Sequence, residues 1–202
     1  MVLEKATEAE EEWRSANNRE PAPSPVRLSN NSSRQRWCPP QYGALKCNIG
    51  VSWDQTTSIS GAAWILRDNN GAVLLHSRRA FSGVSSLMEA ELCGFWFAVE
   101  SMVSTRQRNV IFESHYNLAR EALLNPTRFP SLCSLLNEII SLFPRLQTWQ
   151  MAYAGMRMFN VIVLLQGLRT VWLVMGDSLH IYIARGGPSW LLVTLNAEAS
   201  GS

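Results

Sequence analysis

ALKCNIGVSW at residues 44–53 and SISGAAWILRDNNGAVLLHSRRAF at residues 58–81 decide the fold. In the first run Leu45, Cys47, Ile49 and Val51 alternate with Lys46, Asn48, Gly50 and Ser52, and this period of two predicts a strand with one apolar face. The second run holds two apolar segments flanking Asp68-Asn69-Asn70-Gly71. Asn-Gly between apolar segments marks a hairpin, because both residues accept the positive φ that tight turns demand. With the polar turn from Asp54 to Thr57, the two runs predict three antiparallel strands in a meander.

Beyond the meander the period changes. Leu87, Glu91, Phe95, Ala98 and Met102 recur at spacings of three and four behind Ser85 and Ser86, which can cap, so a helix of about five turns follows. NVIFES at residues 109–114 is a short apolar run bounded by charge and predicts a buried fourth strand. Tyr116 to Leu124 returns to helical spacing until Pro126 and Pro130 break it. SLCSLLNEIISLF (residues 131–143) makes another helix ending before Pro144, and TWQMAYA (residues 148–154) alternates as a fifth strand. The tail GGPSWLLVTLNAEA reads as a loop and a last short helix. The order βββαβααβα gives an α/β fold, a mixed five-stranded sheet with helices on both faces.

Composition bounds the rest. The chain has 202 residues, 47% hydrophobic and 17% charged, which suits one globular domain and argues against both wholesale disorder and a polytopic membrane protein. Eighteen Lys and Arg against 16 Asp and Glu leave a net charge of +2, too little for the electrostatic footprint of a dedicated duplex-DNA binder. Any nucleic-acid role must come from a local site. The cysteines at 38, 47, 93 and 133 lack CxxC or metal-ligand spacing and read as free thiols of a reducing compartment. The acidic start MVLEKATEAEEEW does not resemble a signal peptide, so an intracellular place, nucleus or cytoplasm, is expected. Phe159 to Met175 is apolar but short for a span and carries Arg169, whose burial in a bilayer costs about 2.5–3.5 kcal/mol, so no membrane is expected. Residues 1–36, with Pro21, Pro23, Pro25 and a Ser/Asn run, read as a polar linker; residues 37–155 form the core; residues 156–202 form a divergent C-terminal helix and tail.

WCPPQYGALKCNIGVSW, SGAAWILRDNNGAVLLHSRR, SLMEAELCGFWFAVESM and VIFES together resemble the ribonuclease H type 1 domain, and most of all the plant subgroup related to the reverse-transcriptase tails of non-LTR retroelements. The resemblance covers residues 37 to about 153 and, more weakly, 180–198. It implies a ribonuclease H-like fold, an RNA/DNA hybrid as partner, and hydrolysis of the RNA strand by two Mg²⁺ ions held by four carboxylates. Carried over position by position, the acid of strand one falls on Gly50, which has no side chain. The acid of the first long helix falls on Glu91, which is present. The Asp closing strand four falls on His115 in FESHYN, and imidazole is a poor ligand for a hard cation. The acid of the last helix falls near Leu164 in NVIVLLQG.

Neighbouring acids substitute poorly. Glu89 lies about 200° around the helix from Glu91, and Asp54 lies about 13 Å along the strand from position 50. Glu113 shares a strand face with residue 115 but lies about 6.6 Å from it. The expectation is therefore a nucleic-acid-binding domain, an RNA/DNA hybrid ribonuclease by resemblance, with Glu91 as its remnant metal ligand and Mg²⁺ not bound. Arg78 and Arg79 are the candidate phosphate contacts, although solvated strand residues explain them as well. Trp53, Trp64, Trp96 and Trp149 fall inside predicted elements and read as core rather than as a base-stacking platform. The alternative is a protein-interaction or structural module without nucleic-acid affinity, favoured by the near-neutral charge.

Overall fold

The alternation and hairpin signals become a six-stranded sheet in the computed structural model, which describes residues 37–153 and 182–185. The strands are β1 (Leu45–Asp54), β2 (Ile59–Arg67), β3 (Val73–Ser82), β4 (Asn109–Ser114), β5 (Thr148–Tyr153) and β6 (Tyr182–Arg185). Their order across the sheet is β5-β4-β1-β2-β3-β6. β1, β2 and β3 pair antiparallel as the meander requires, while β1–β4 and β4–β5 are parallel. Parallel pairing needs a crossover, and the helices α1 (Leu87–Ser104), α2 (Asn117–Leu124) and α3 (Cys133–Leu142) provide it. The sixth strand, pairing antiparallel with β3, lies beyond the five that the sequence signals. The expected last helix, the N-terminal linker and the apolar stretch 159–175 lie outside the described residues. Among the described residues no helix is long and apolar enough to cross a membrane.

Local chemistry accounts for the elements that carry the site. At the hairpin, Asp68 Oδ1 accepts hydrogen bonds from the Asn70 and Ala72 amides at 2.9 Å each, and Gly71 takes φ +81°. The register slips between Leu66 and Arg67, where Leu74 of β3 is the extra residue of a bulge. The Ser86 hydroxyl accepts from the Glu89 amide at 3.1 Å, and the Glu89 carboxylate accepts from the Ser85 amide, so a reciprocal cap fixes where α1 begins.

α1 packs against β1, β2 and α3, burying Leu92, Phe95, Ala98, Val99 and Met102 against Ile49, Trp64 and Leu66. The approach is close because residue 94 is glycine; a Cβ there would stand 2.5 Å from Val51 Cγ2 and 3.6 Å from Ile49 Cγ2. Ile49 and Val51 therefore face the helix. Alternation puts Lys46, Asn48 and Gly50 on the opposite face of β1.

Candidate functional site

The parallel ladder between β1 and β4 runs from Leu45↔Val110 to Ile49↔Ser114 and stops. β1 continues to Asp54 with β2 alone as its partner, which leaves one side of it open from Gly50 onward. His115 follows Ser114 directly, one residue past the last pair of the ladder. Its place is set by a tight turn in which Ser114 Oγ accepts from the Tyr116 amide at 3.1 Å. Glu91 approaches from the second turn of α1, on the same helical face as Gly94 and Ala98. Its Oε1 lies 4.0 Å from His115 Nε2. The structure thus brings Glu91 and His115 together at the end of β4, while Gly50 lies on the face of β1 turned away from α1.

The electrostatics of this pocket are unusual for a carboxylate site. The Glu91 side chain is 1% exposed, and its Oε2 has no hydrogen-bond partner among the described residues. Burial pushes its carboxyl up to about 8, so the neutral acid predominates at neutral pH. His115, 36% exposed, is shifted the opposite way: partial desolvation lowers its pKa and keeps the imidazole neutral. At 4.0 Å the two groups are not hydrogen-bonded.

Glu113, the nearest acid on β4, is engaged elsewhere. It sits in register with Asn48, accepts from Lys46 Nζ at 3.0 Å and from Asn48 Nδ2, and is buried with both. The same cluster continues through Arg67, whose Nη2 donates to Asn48 Oδ1 at 2.7 Å and whose guanidinium lies 3.8 Å from the centre of the Trp37 ring. Lys46 also donates to the Cys38 carbonyl at 2.7 Å. Sequence reasoning missed this network, which pins the segment entering β1 onto the sheet face away from α1. Part of its signal was present: Lys46 and Asn48 are polar residues on one face of an otherwise buried strand, and the predicted fourth strand carries a single acid, Glu113.

Arg78 and Arg79 do not form one site. As neighbours on β3 they point to opposite faces, and the Arg79 guanidinium lies 5.0 Å from the centres of both the Phe81 and Trp96 rings. Trp64 is fully buried in the core as expected, whereas Trp53 is only half-buried and donates to the Val84 carbonyl at 3.0 Å. Trp149 is 37% exposed and stacks on Phe143 with ring centres 4.1 Å apart.

Two Mg²⁺ ions need a set of converging oxygens, because each hard cation keeps a near-octahedral oxygen shell. The described pocket supplies one carboxylate beside an imidazole. Among the described residues no group of three or more His, Cys, Asp or Glu side chains is placed to hold a metal ion. The residues described here do not fit a Mg²⁺ pair. The position nearest Leu164, where the resemblance places the fourth ligand, lies outside the described residues.

The comparisons with known proteins agree with this architecture. The chain is similar to the ribonuclease H1 of the halophilic archaeon Halobacterium salinarum, at 12% identity and a TM-score of 0.53, over 59% of this chain and 91% of that one. It is similar also to the N-terminal ribonuclease H domain of a Mycobacterium tuberculosis protein solved as a fusion with maltose-binding protein, at 13% identity and a TM-score of 0.50, over 58% and 92% of the two chains. At such identities the likeness establishes the fold. No curated protein sequence matches the chain significantly. Residues 48–161 match the model of the reverse transcriptase-like family, more than half of the chain, and include most of β1 and all of α1 and β4, with Glu91 and His115. With that match and a ribonuclease H fold around the pocket, the chain belongs to the reverse transcriptase-like family and carries a ribonuclease H-type domain.

Proposed function

We propose that this chain is a ribonuclease H-like domain that binds nucleic acid, with RNA/DNA hybrid as its favoured class of partner, and that has lost Mg²⁺-dependent hydrolysis. The observation that carries the proposal is the pocket at the end of β4. There Glu91 stands buried 4.0 Å from His115, its Oε2 without a hydrogen-bond partner among the described residues, and position 50, where the family resemblance expects an acid, is glycine. One carboxylate held largely neutral does not concentrate the negative charge that paired Mg²⁺ ions require. The fold and the family match support the nucleic-acid partner. The same match supports descent from a retroelement.

A labelled RNA/DNA hybrid titrated with the protein at two salt concentrations, with and without Mg²⁺, tests both halves. Binding that weakens steeply with salt, with no cleavage, is the expected result. Turnover in Mg²⁺ that disappears in Glu91→Gln refutes the loss of hydrolysis. No binding at low salt refutes the nucleic-acid reading and leaves the protein-interaction module. The Gly50→Asp, His115→Asp double variant, which returns two oxygen ligands to the pocket, is expected to gain Mg²⁺-dependent thermal stabilisation that the parent lacks.

A further inference from the structure

We infer that the outer edge of β5 is a self-association surface, on which a second copy of this chain pairs antiparallel through Trp149, Met151 and Tyr153. The inference stands apart from the pocket at the end of β4 and from whether the domain binds nucleic acid.

β5 is the last strand on its side of the sheet, and its ladder with β4 runs without a register shift from Asn109↔Thr148 to Ser114↔Tyr153. Alternate residues of such a strand turn their N–H and C=O groups outward, and among the described residues no strand pairs with them. Sheets protect an edge with a charge, a proline, a bulge or a very short strand. β6, at the other edge, has four residues and ends on exposed Arg185. β5 has none of these protections. TWQMAY is six residues of regular strand without charge or proline, and the sequence holds no charged residue between Arg145 and Arg157. Trp149 and Tyr153 stand 37% and 56% exposed on it. Pairing puts Trp149 beside Val110 and Met151 beside Phe112, so Trp149, Met151 and Tyr153 share the helix-side face.

The occupant follows from the pattern. A two-fold axis normal to the sheet joins two identical edges antiparallel and closes the assembly at two copies. With that axis at Met151, Trp149 faces the second copy's Tyr153, Tyr153 faces the second copy's Trp149, and Met151 faces itself. The order aromatic, Met, aromatic is its own complement when reversed, a property that no unrelated peptide shares by necessity. Aromatic side chains directly opposite each other are favourable cross-strand pairs. No like charges meet within the paired strands, although each copy carries a net charge of +2. Phe143, stacked on Trp149 with ring centres 4.1 Å apart, orients the indole before the second copy arrives. The exposed fractions of Trp149 and Tyr153 amount to roughly 200 Å² per copy. Even with the strand backbone added, the contact stays below the about 1,200 Å² at which stable complexes begin, so the dimer is weak and transient.

The test uses the full chain without nucleic acid, by sedimentation equilibrium and amide hydrogen exchange from about 1 to about 200 µM. The expected result is the monomer mass at about 1 µM, rising towards twice that value at about 200 µM, with the outward amides of β5 exchanging more slowly over the same range. Gln150→Lys and Tyr153→Asp, both at exposed positions, should each weaken self-association about tenfold or more while Tm stays within about 2 °C. In a Cys38→Ser, Cys133→Ser background, Met151→Cys should crosslink to its own copy on mild air oxidation and Gln150→Cys should not, because residue 151 alone faces itself. Burial raises the Cys47 and Cys93 thiols and keeps them protonated during that oxidation. A chain that stays monomeric at about 200 µM overturns the inference, as does self-association unchanged in both variants or crosslinking at 150 as efficient as at 151. Amides of β5 already protected at about 1 µM overturn it as well, and assign the edge to residues 154–181 of the same chain.

Discussion

Replacing Glu91 by Gln should remove a pH dependence that a single buried carboxyl imposes on the whole domain. In the unfolded chain the carboxyl titrates near its ordinary 4.5; in the fold, burial raises it to about 8. Because the folded value lies above the unfolded one, the stabilisation it gives is complete below pH 4.5 and is lost progressively up to pH 8. Each pH unit inside that window costs about 1.4 kcal/mol, so going from pH 5 to pH 8 takes about 4 kcal/mol from the parent relative to Glu91→Gln. With a urea m-value of about 2 kcal/mol/M, the two unfolding midpoints, matched at one end of the range, should separate by about 2 M at the other. His115 acts with the opposite sign. Its lowered value means that its contribution is present above about pH 6.5 and is lost as pH falls through the folded value, so the comparison is repeated in a His115→Asn background. Midpoints of the parent and Glu91→Gln that stay parallel from pH 5 to 8 would refute the burial of an unpaired carboxyl on which the reasoning rests.

Two further predictions concern the supports of the pocket. Glu113→Ala leaves Lys46, buried at 7% exposure, without its countercharge, and should cost about 3–5 kcal/mol by denaturant unfolding; the Lys46→Met, Glu113→Leu double variant should recover most of that loss. Gly94→Ala should destabilise by about 1–3 kcal/mol, despite alanine's better helix propensity, because its Cβ meets Val51 Cγ2 at 2.5 Å; adding Val51→Ala should restore stability, and a strictly additive double mutant would contradict the close approach of α1 to β1.

What the sequence alone determined is whatever depends on local periodicity and turn chemistry. The alternation from Leu45 to Val51, the Asp68–Gly71 hairpin, the Ser86 cap and the stripe from Leu87 to Met102 each state their element within a dozen residues, and they predict β1, β2, β3 and α1 with near-correct ends. The resemblance carried by the same runs supplied the fold, and it marked positions 50, 91 and 115 as one site. Only the tertiary structure decided what those positions do to each other. Whether Glu91 has a partner depends on how deeply α1 seats on β1, which Gly94 permits, and on where the β1–β4 ladder stops. Whether Glu113 is available depends on Lys46, 67 residues away in the chain, and Asn48, 65 away, reaching it across a parallel ladder that no local pattern encodes. β6 joined the sheet for the same reason: a strand of four residues has too little period of its own to read, and pairing with β3 defines it. Side-chain period is a property of a short stretch of chain, whereas desolvation and charge pairing belong to neighbours in space, and those exist only once the sheet has closed.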